Sequence, residues 1–250
     1  MTTSFGALST DFHITQKLSL KMDLPDDRGT LLHLFEQVRK VDPGMRRFRR
    51  YDGELVLESS RRESQYRWLA LRRTSVRSGY SNPGQMEDAY KFHQKLLELL
   101  PYQLSVSPID VVNQELWFSF DLECRGNHDE VIYEALIADS PLANLLKWPE
   151  AKITDVQPLF GFRVGGRQGW EAYFEVKTRS RGRRGRGGGG SRGEPIGVAV
   201  SIRKYGPVNR VGDLGTNFQE MTQHAEQLAT ERLVPDLLTP IARQITSSNA

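Results

Sequence analysis

The chain has 250 residues, 38% of them hydrophobic and 26% charged, with a formal net charge of +3, which is enough apolar content to bury a sizeable core as one large domain or two small ones. No apolar run approaches the roughly 18 residues of a membrane-spanning helix, and the opening MTTSFGALSTDFHITQ lacks the basic-then-apolar order of a signal peptide, so a cytoplasmic protein without a membrane contact is expected. One cysteine, Cys124, excludes an internal disulfide and any zinc site built on paired thiolates.

ITQKLSLKM comes first as a strand, with Leu18, Leu20 and Met22 on one side. DRGTLLHLFEQVRK follows as a helix opened by Asp27, with Leu31, Leu32, Leu34, Phe35 and Val38 as its apolar stripe. RRFRRYDGELVLES reads as a hairpin turning at Asp52-Gly53, a favoured pair for two-residue turns, and YRWLALRRTSV as the strand beside it. In NPGQMEDAYKFHQKLLELL, Asn82 is the expected N-cap, Pro83 the first helical residue and Gln85 the partner that closes a capping box. NHDEVIYEALIADSPLANLLKW repeats the device with Asn127 and Glu130 and breaks at Ser140-Pro141. The last helix, TNFQEMTQHAEQLATERLV, opens at Thr216 with Gln219 and is interrupted by Pro235 and Pro240.

Three further segments alternate with period two. ELWFSFDLEC puts Leu116, Phe118, Phe120, Leu122 and Cys124 on one side and Glu115, Trp117, Ser119, Asp121 and Glu123 on the other. WEAYFEVKT divides Trp170, Ala172, Phe174 and Val176 from Glu171, Tyr173, Glu175 and Lys177, and IGVAVSIRK turns Ile196, Val198, Val200 and Ile202 inward. Clean alternation with one wet face implies antiparallel pairing, with the helices gathered on the dry side. The expected fold is α+β in two layers, a mainly antiparallel sheet with four helical regions on one face. Helices that each run toward a proline (Pro43, Pro101, Pro149) before the next strands suggest duplicated strand-strand-helix units. One domain over 1–250 is expected, with halves at 1–100 and 101–250.

Between the last two of those strands lies TRSRGRRGRGGGGSRGEP. It resembles the RGG segments of RNA-binding proteins, and Arg181, Arg183, Arg184, Arg186 and Arg192 could neutralise phosphates of a nucleic acid or another polyanion. The six arginines between 179 and 193 carry twice the chain's net charge, so the remainder is net acidic. The segment holds no aromatic residue on which bases would stack, and its composition makes residues 179–194 a disordered hairpin loop by expectation. A second basic cluster, with Arg47, Arg67, Arg73 and Arg77 among Phe48, Tyr51, Tyr66, Trp68 and Tyr80, reads either as cross-strand pairs with the acidic wet faces or as an anion-binding sheet face. Trp117 and Tyr173, outward on polar faces, require cover from a partner, a ligand or the chain itself.

No motif names a chemistry. His13, His33, His93, His128 and His224 stand at no metal spacing, so no metal is expected; the cluster Asn127 to Glu130 is better explained by capping, and Cys124 by burial. GFRVGGRQG is not a dinucleotide fingerprint, GRGGGGSRG lacks the lysine of a P-loop, and no G-x-S-x-G elbow occurs, so no cofactor is expected and enzymatic function is not favoured. The leading expectation is a soluble binding protein that meets a polyanion through the arginine-glycine loop. The alternatives are an enzyme or small-anion binder using Arg67, Arg73, Arg77, Trp117 and Tyr173 on the open sheet face, and a homo-oligomeric structural protein. If the loop only connects two paired strands, replacing residues 179–194 by Asn-Gly leaves the thermal midpoint within a few degrees; loss of cooperative melting would contradict that reading.

Overall fold

Strict alternation defines the centre of the molecule. In β1 (Asp11–Leu20) every second residue from Phe12 to Leu20 is buried, and β6 (Val111–Glu123) buries Leu116, Phe118, Phe120 and Leu122 beside it. The computed structural model describes residues 4–51, 53–166, 169–178 and 195–248. After β1 come α1 (Arg28–Val41), the strands β2 (Arg47–Tyr51), β3 (Glu54–Glu58), β4 (Tyr66–Arg72) and β5 (Ser75–Ser81), and α2 (Met86–Gln103). After β6 come α3 (His128–Leu136), the strands β7 (Leu159–Val164), β8 (Trp170–Thr178) and β9 (Pro195–Tyr205), and α4 (Asp213–Leu228), continued by a π-helical stretch Ala229–Leu238 and α5 (Thr239–Ser248).

All nine strands join one antiparallel sheet in the order β2-β3-β4-β5-β1-β6-β9-β8-β7. This is the expected α+β class. Each half repeats a plan larger than a strand-strand-helix unit: a central strand, a helix, a meander that starts at the sheet edge and returns to pair with that central strand, and a second helix. Helices cover the face that carries Phe12, Ile14 and Phe118, where α4 lies against β6 and β9 and α2 against β5. Phe5, Phe12, Phe118 and Phe120 meet there in tilted and edge-to-face contacts, with Phe12 and Phe120 4.8 Å apart by ring centroid. No helix among the described residues is long and apolar enough to cross a membrane.

Several local expectations meet a different outcome. Asp27 does cap α1, accepting the Thr30 N–H at 2.8 Å. Asn82 does not cap α2. It sits at φ 51° and locks β5 to β1, accepting the Phe12 N–H at 2.8 Å and donating to Asp11 at 2.7 Å, while the helix begins four residues later. The strand read through YRWLALRRTSV is two strands, since β4 turns into β5 at Arg73 and Thr74. That turn carries no glycine, proline or asparagine and so leaves no mark in the sequence. Pro235 does not end the last helix. The wider π-helical stretch around it moves away the carbonyl that a proline ring strikes in an α-helix. Tyr51 faces Glu54 across the β2–β3 hairpin, with Gly53 at φ 70°, whereas Asp52 lies outside the described residues. Thr178 pairs with Ile196, so residues 179–194 join two hydrogen-bonded strands and themselves lie outside the described residues.

One polar group interrupts the dry layer. His93 of α2 is fully buried against Phe218 and hydrogen-bonds Ser78 at 2.8 Å, and Ser78 donates to Gln16 at 3.1 Å. Because the single Ser78 proton goes to Gln16, the His93 Nδ1 must carry the proton it shares with Ser78. Burial pushes the His93 pKa down from 6.5 to about 3. Above pH 6.5 the ring is neutral in folded and unfolded chains alike. Below it the unfolded chain binds a proton that the folded chain refuses until about pH 3, so stability falls as pH falls, by up to about 1.4 kcal/mol per pH unit. His93→Gln is expected to flatten the pH 7 to 5 dependence of the urea midpoint; an unchanged slope would place the titration elsewhere.

Candidate functional site

The face opposite the helices is open, and register places its side chains in rows across the strands. Ser81, His13, Ser119 and Ala199 form one row; Trp68, Gly79, Thr15, Trp117, Ser201 and Tyr173 form the next; Arg77, Lys17, Glu115, Arg203, Glu171 and Arg163 form the third. Successive rows lie two residues, about 6.8 Å, apart along each strand. Together they read as a hydroxyl row, an aromatic row and a charged row. A cavity of about 1070 Å³ opens over the middle of all three, walled by Trp68, Arg77, Lys17, Trp117, His13 and Lys177.

The aromatic row depends on small neighbours. A Cβ on Gly79 would lie 2.3 Å from the Trp68 indole, so Trp68 occupies the space that any side chain there would take, and the Arg77 guanidinium stands over its ring at 5.4 Å. The second half uses the same device. Tyr173 covers Gly161 at 2.6 Å from the corresponding Cβ position, with Arg203 over its ring at 5.3 Å. Cation–π contacts of this geometry contribute about 0.5–1 kcal/mol at partly exposed sites.

Charge is balanced in the second half and unbalanced in the first. Glu115 is buried and paired with Arg203 at 2.9 Å. Glu171 accepts hydrogen bonds from Arg163 Nε at 2.8 Å, Tyr173 at 2.8 Å and Tyr205 at 3.0 Å. The Arg163 guanidinium, followed by the two phenols, holds the Glu171 carboxyl below the usual carboxylate range, and the same bond raises Tyr173. On the other side Arg77 shares Glu54 with Arg72, at 3.5 Å from Arg77, and burial lowers its pKa. Lys17, half-buried and directly opposite Arg77, makes no hydrogen bond or ion pair among the described residues. Like charges facing each other across adjacent strands repel, and the acid on Lys17's other side is already engaged by Arg203.

In the first row Ser81 and His13 Nδ1 are 2.7 Å apart, and His13 Nε2 lies 3.3 Å from Asp121 Oδ2. Among the described residues no group of His, Cys, Asp and Glu is arranged to hold a metal ion. Asn127 caps α3 through the Asp129 and Glu130 N–H groups, His128 bonds the Cys124 carbonyl at 3.2 Å, and Cys124 is buried.

The fold therefore gathers some of the residues expected from sequence and separates others. Arg77 and Trp117 line the cavity. Tyr173 shares the aromatic row but belongs to the second cluster, and Arg47 stands at the exposed outer edge on β2, opposite Glu58. Arg67 lies on the helix side, paired with Asp42 at 3.0 Å and Glu63 at 3.5 Å and stacked over Tyr80. Arg73, in the β4–β5 turn, also lines the cavity while paired with Asp23 at 2.9 Å. Arg181, Arg183, Arg184, Arg186 and Arg192 lie outside the described residues. The cross-strand pairing expected of the arginines occurs, though Glu115 and Glu171 take Arg203 and Arg163 rather than arginines of the first half. Sequence reading placed Trp68 in the basic cluster without its glycine partner and missed Lys17, His13 and Ser81 as site residues. The available signal was Gly79, a glycine inside a strand, which marks a close approach.

No family model matches this chain, and no curated protein matches it.

Because Trp68 fills the space above Gly79, Gly79→Ala is expected to lower stability by about 1–3 kcal/mol and to shift tryptophan emission to the red. Strand propensity alone predicts a small gain, so a stabilised variant with unchanged emission would refute the contact.

Proposed function

We propose that this chain is a binding protein that holds an anionic ligand on the open sheet face. The carrying observation is the Lys17–Arg77 pair: two cations in register on adjacent strands, one of them unpartnered among the described residues, at the floor of a large cavity. A carboxylate, sulfonate or phosphate between them relieves the repulsion that the fold otherwise sustains. The aromatic row lies directly beside them, so the body of the ligand rests against Trp68 and Trp117. A ligand spanning the rows is elongated, since Arg77 and Ser81 stand four residues, about 13 Å, apart on β5.

The arginine-glycine segment supports a second reading on charge and position. It lies between β8 and β9 in the chain, and Lys177, near the end of β8, lines the same cavity; the charge of Arg181, Arg183, Arg184, Arg186 and Arg192 suits a longer polyanion such as a single-stranded nucleic acid. Association through the open face is less favoured by the packing, because Tyr173 is half-buried between Gly161 and the Arg203 guanidinium and Trp117 is half-buried as well.

Isothermal titration with naphthalene-2-sulfonate and the neutral naphthalene-2-sulfonamide tests the proposal. The sulfonate is expected to bind at least about tenfold more tightly, a difference of about 1.4 kcal/mol, and Lys17→Met and Arg77→Met each remove that preference even when residues 179–194 are replaced by Asn-Gly. Equal binding of the two compounds, or indifference to both substitutions, would refute it. Titration of the full chain with single-stranded RNA at increasing salt separates the second reading: a log-log slope of about −0.7 per phosphate that vanishes with the segment supports it.

A further inference from the structure

The row of hydroxyls at the other end of the cavity is not explained by anion binding. Ser81, His13 and Asp121 come from three adjacent strands, β5, β1 and β6, and line up as hydroxyl, imidazole and carboxylate, with Ser81 and His13 on the wall of the cavity. With Nε2–H donated to Asp121, the neutral imidazole presents an unprotonated Nδ1 to the Ser81 hydroxyl at 2.7 Å. This is the geometry of a nucleophile, a general base and the group that orients the base. The three groups are poorly exposed, the His13 side chain by 24%, that of Asp121 by 13% and Ser81 by 8%, so bulk water competes weakly for their hydrogen bonds.

We propose that Ser81 is the nucleophile of an acyl-transfer activity toward esters that carry an anionic group about 13 Å from the acyl carbon. The inference rests on the ligand lying along the three rows, its anion at Lys17 and Arg77 and its acyl group at Ser81. In the first step the Ser81 Oγ–C bond forms while the hydroxyl proton passes to His13 Nδ1. The C–O bond to the leaving group breaks, and the departing oxygen takes that proton, which leaves an acyl-serine and neutral His13. In the second step water gives a proton to His13 Nδ1 as its oxygen bonds to the acyl carbon, and Ser81 departs with the proton restored. Asp121 holds the tautomer and faces the imidazolium formed in each step. The Trp68 indole N–H, which lies over Gly79 one row from Ser81 and makes no hydrogen bond among the described residues, is the donor assigned to the oxyanion in this proposal.

The test needs no variant to begin. Diisopropyl fluorophosphate added to the full chain is expected to modify Ser81, located by peptide mass spectrometry, with no modification of other serines. Hydrolysis of 4-nitrophenyl acetate and of 4-nitrophenyl hydrogen sebacate, whose extended chain is long enough to set its carboxylate at Lys17 and Arg77, followed by nitrophenolate release, then reads turnover. Ser81→Ala and His13→Gln are expected to lower the rate by about a hundredfold or more, and Asp121→Asn to lower it while His33→Gln, on the outer face of α1, leaves it unchanged. Lys17→Met is expected to raise KM for the anionic ester alone. Modification scattered over many serines, or unmodified Ser81 in a protein that still binds naphthalene-2-sulfonate, overturns the catalytic inference and leaves the binding reading standing. Labelling of Ser81 with no preference for the anionic ester overturns the binding reading and leaves the nucleophile.

Discussion

Pairing of β1 with β6 is the constraint on which the rest depends. From Asp11 opposite Asp121 to Ser19 opposite Asn113, the register sets Phe12 beside Phe120 and Ile14 beside Phe118 on one side, and His13 beside Ser119 and Thr15 beside Trp117 on the other. A slip of β1 by one residue would send Phe12, Ile14, Leu18 and Leu20 to water and bring His13 and Lys17 into the core, a reversal far costlier than the net stability of a domain. The same pairing joins the two halves of the chain. Each meander then has one way to complete the sheet, by returning to its own central strand.

The two halves share a plan and divide its consequences. Both lay an aromatic ring over a glycine of the neighbouring strand and stack an arginine on it, which gives Trp68, Gly79 and Arg77 in the first and Tyr173, Gly161 and Arg203 in the second. In the second half the charges close on themselves through Glu115 and Glu171. In the first, β1 contributes a lysine where β6 contributes the glutamate, and the cations outnumber the acids within reach. A duplicated framework thus carries a lopsided surface. The helix layer departs from symmetry too: α1 sets Phe35 against Phe48 on edge strand β2, at 5.5 Å, whereas α3 packs on α5 and leaves Phe160, Phe162 and Val164 of edge strand β7 exposed.

Fold class was legible in the sequence because it is written locally. Alternation with period two in β1, β6, β8 and β9 depends only on each segment's own residues, and so does the α1 cap at Asp27. What failed were inferences that had to cross a turn. Arg67, Arg73 and Arg77 have the same parity and look like one face if the segment is a single strand. A two-residue turn at Arg73 and Thr74 reverses parity, so Arg67 pairs with Tyr80 on the helix side while Arg77 pairs with Ala70 on the open side. Asn82 fails for a related reason. Its side chain suits a helix cap, but Asp11 and the Phe12 N–H, distant in sequence and adjacent in space, compete for it and win.

The sequence by itself determined the dry and wet faces, the antiparallel class, the helices and the concentration of charge in one arginine-glycine segment. Those properties follow from side-chain periodicity and composition, which need no partner strand. Only the tertiary structure decided that Lys17 stands beside Arg77, that Trp68 lies over Gly79, and that Ser81, His13 and Asp121 meet. The first and last of these contacts join strands that lie far apart in the chain, the second crosses a turn that leaves no mark in the sequence, and in each the register of backbone hydrogen bonds sets which side chains face one another.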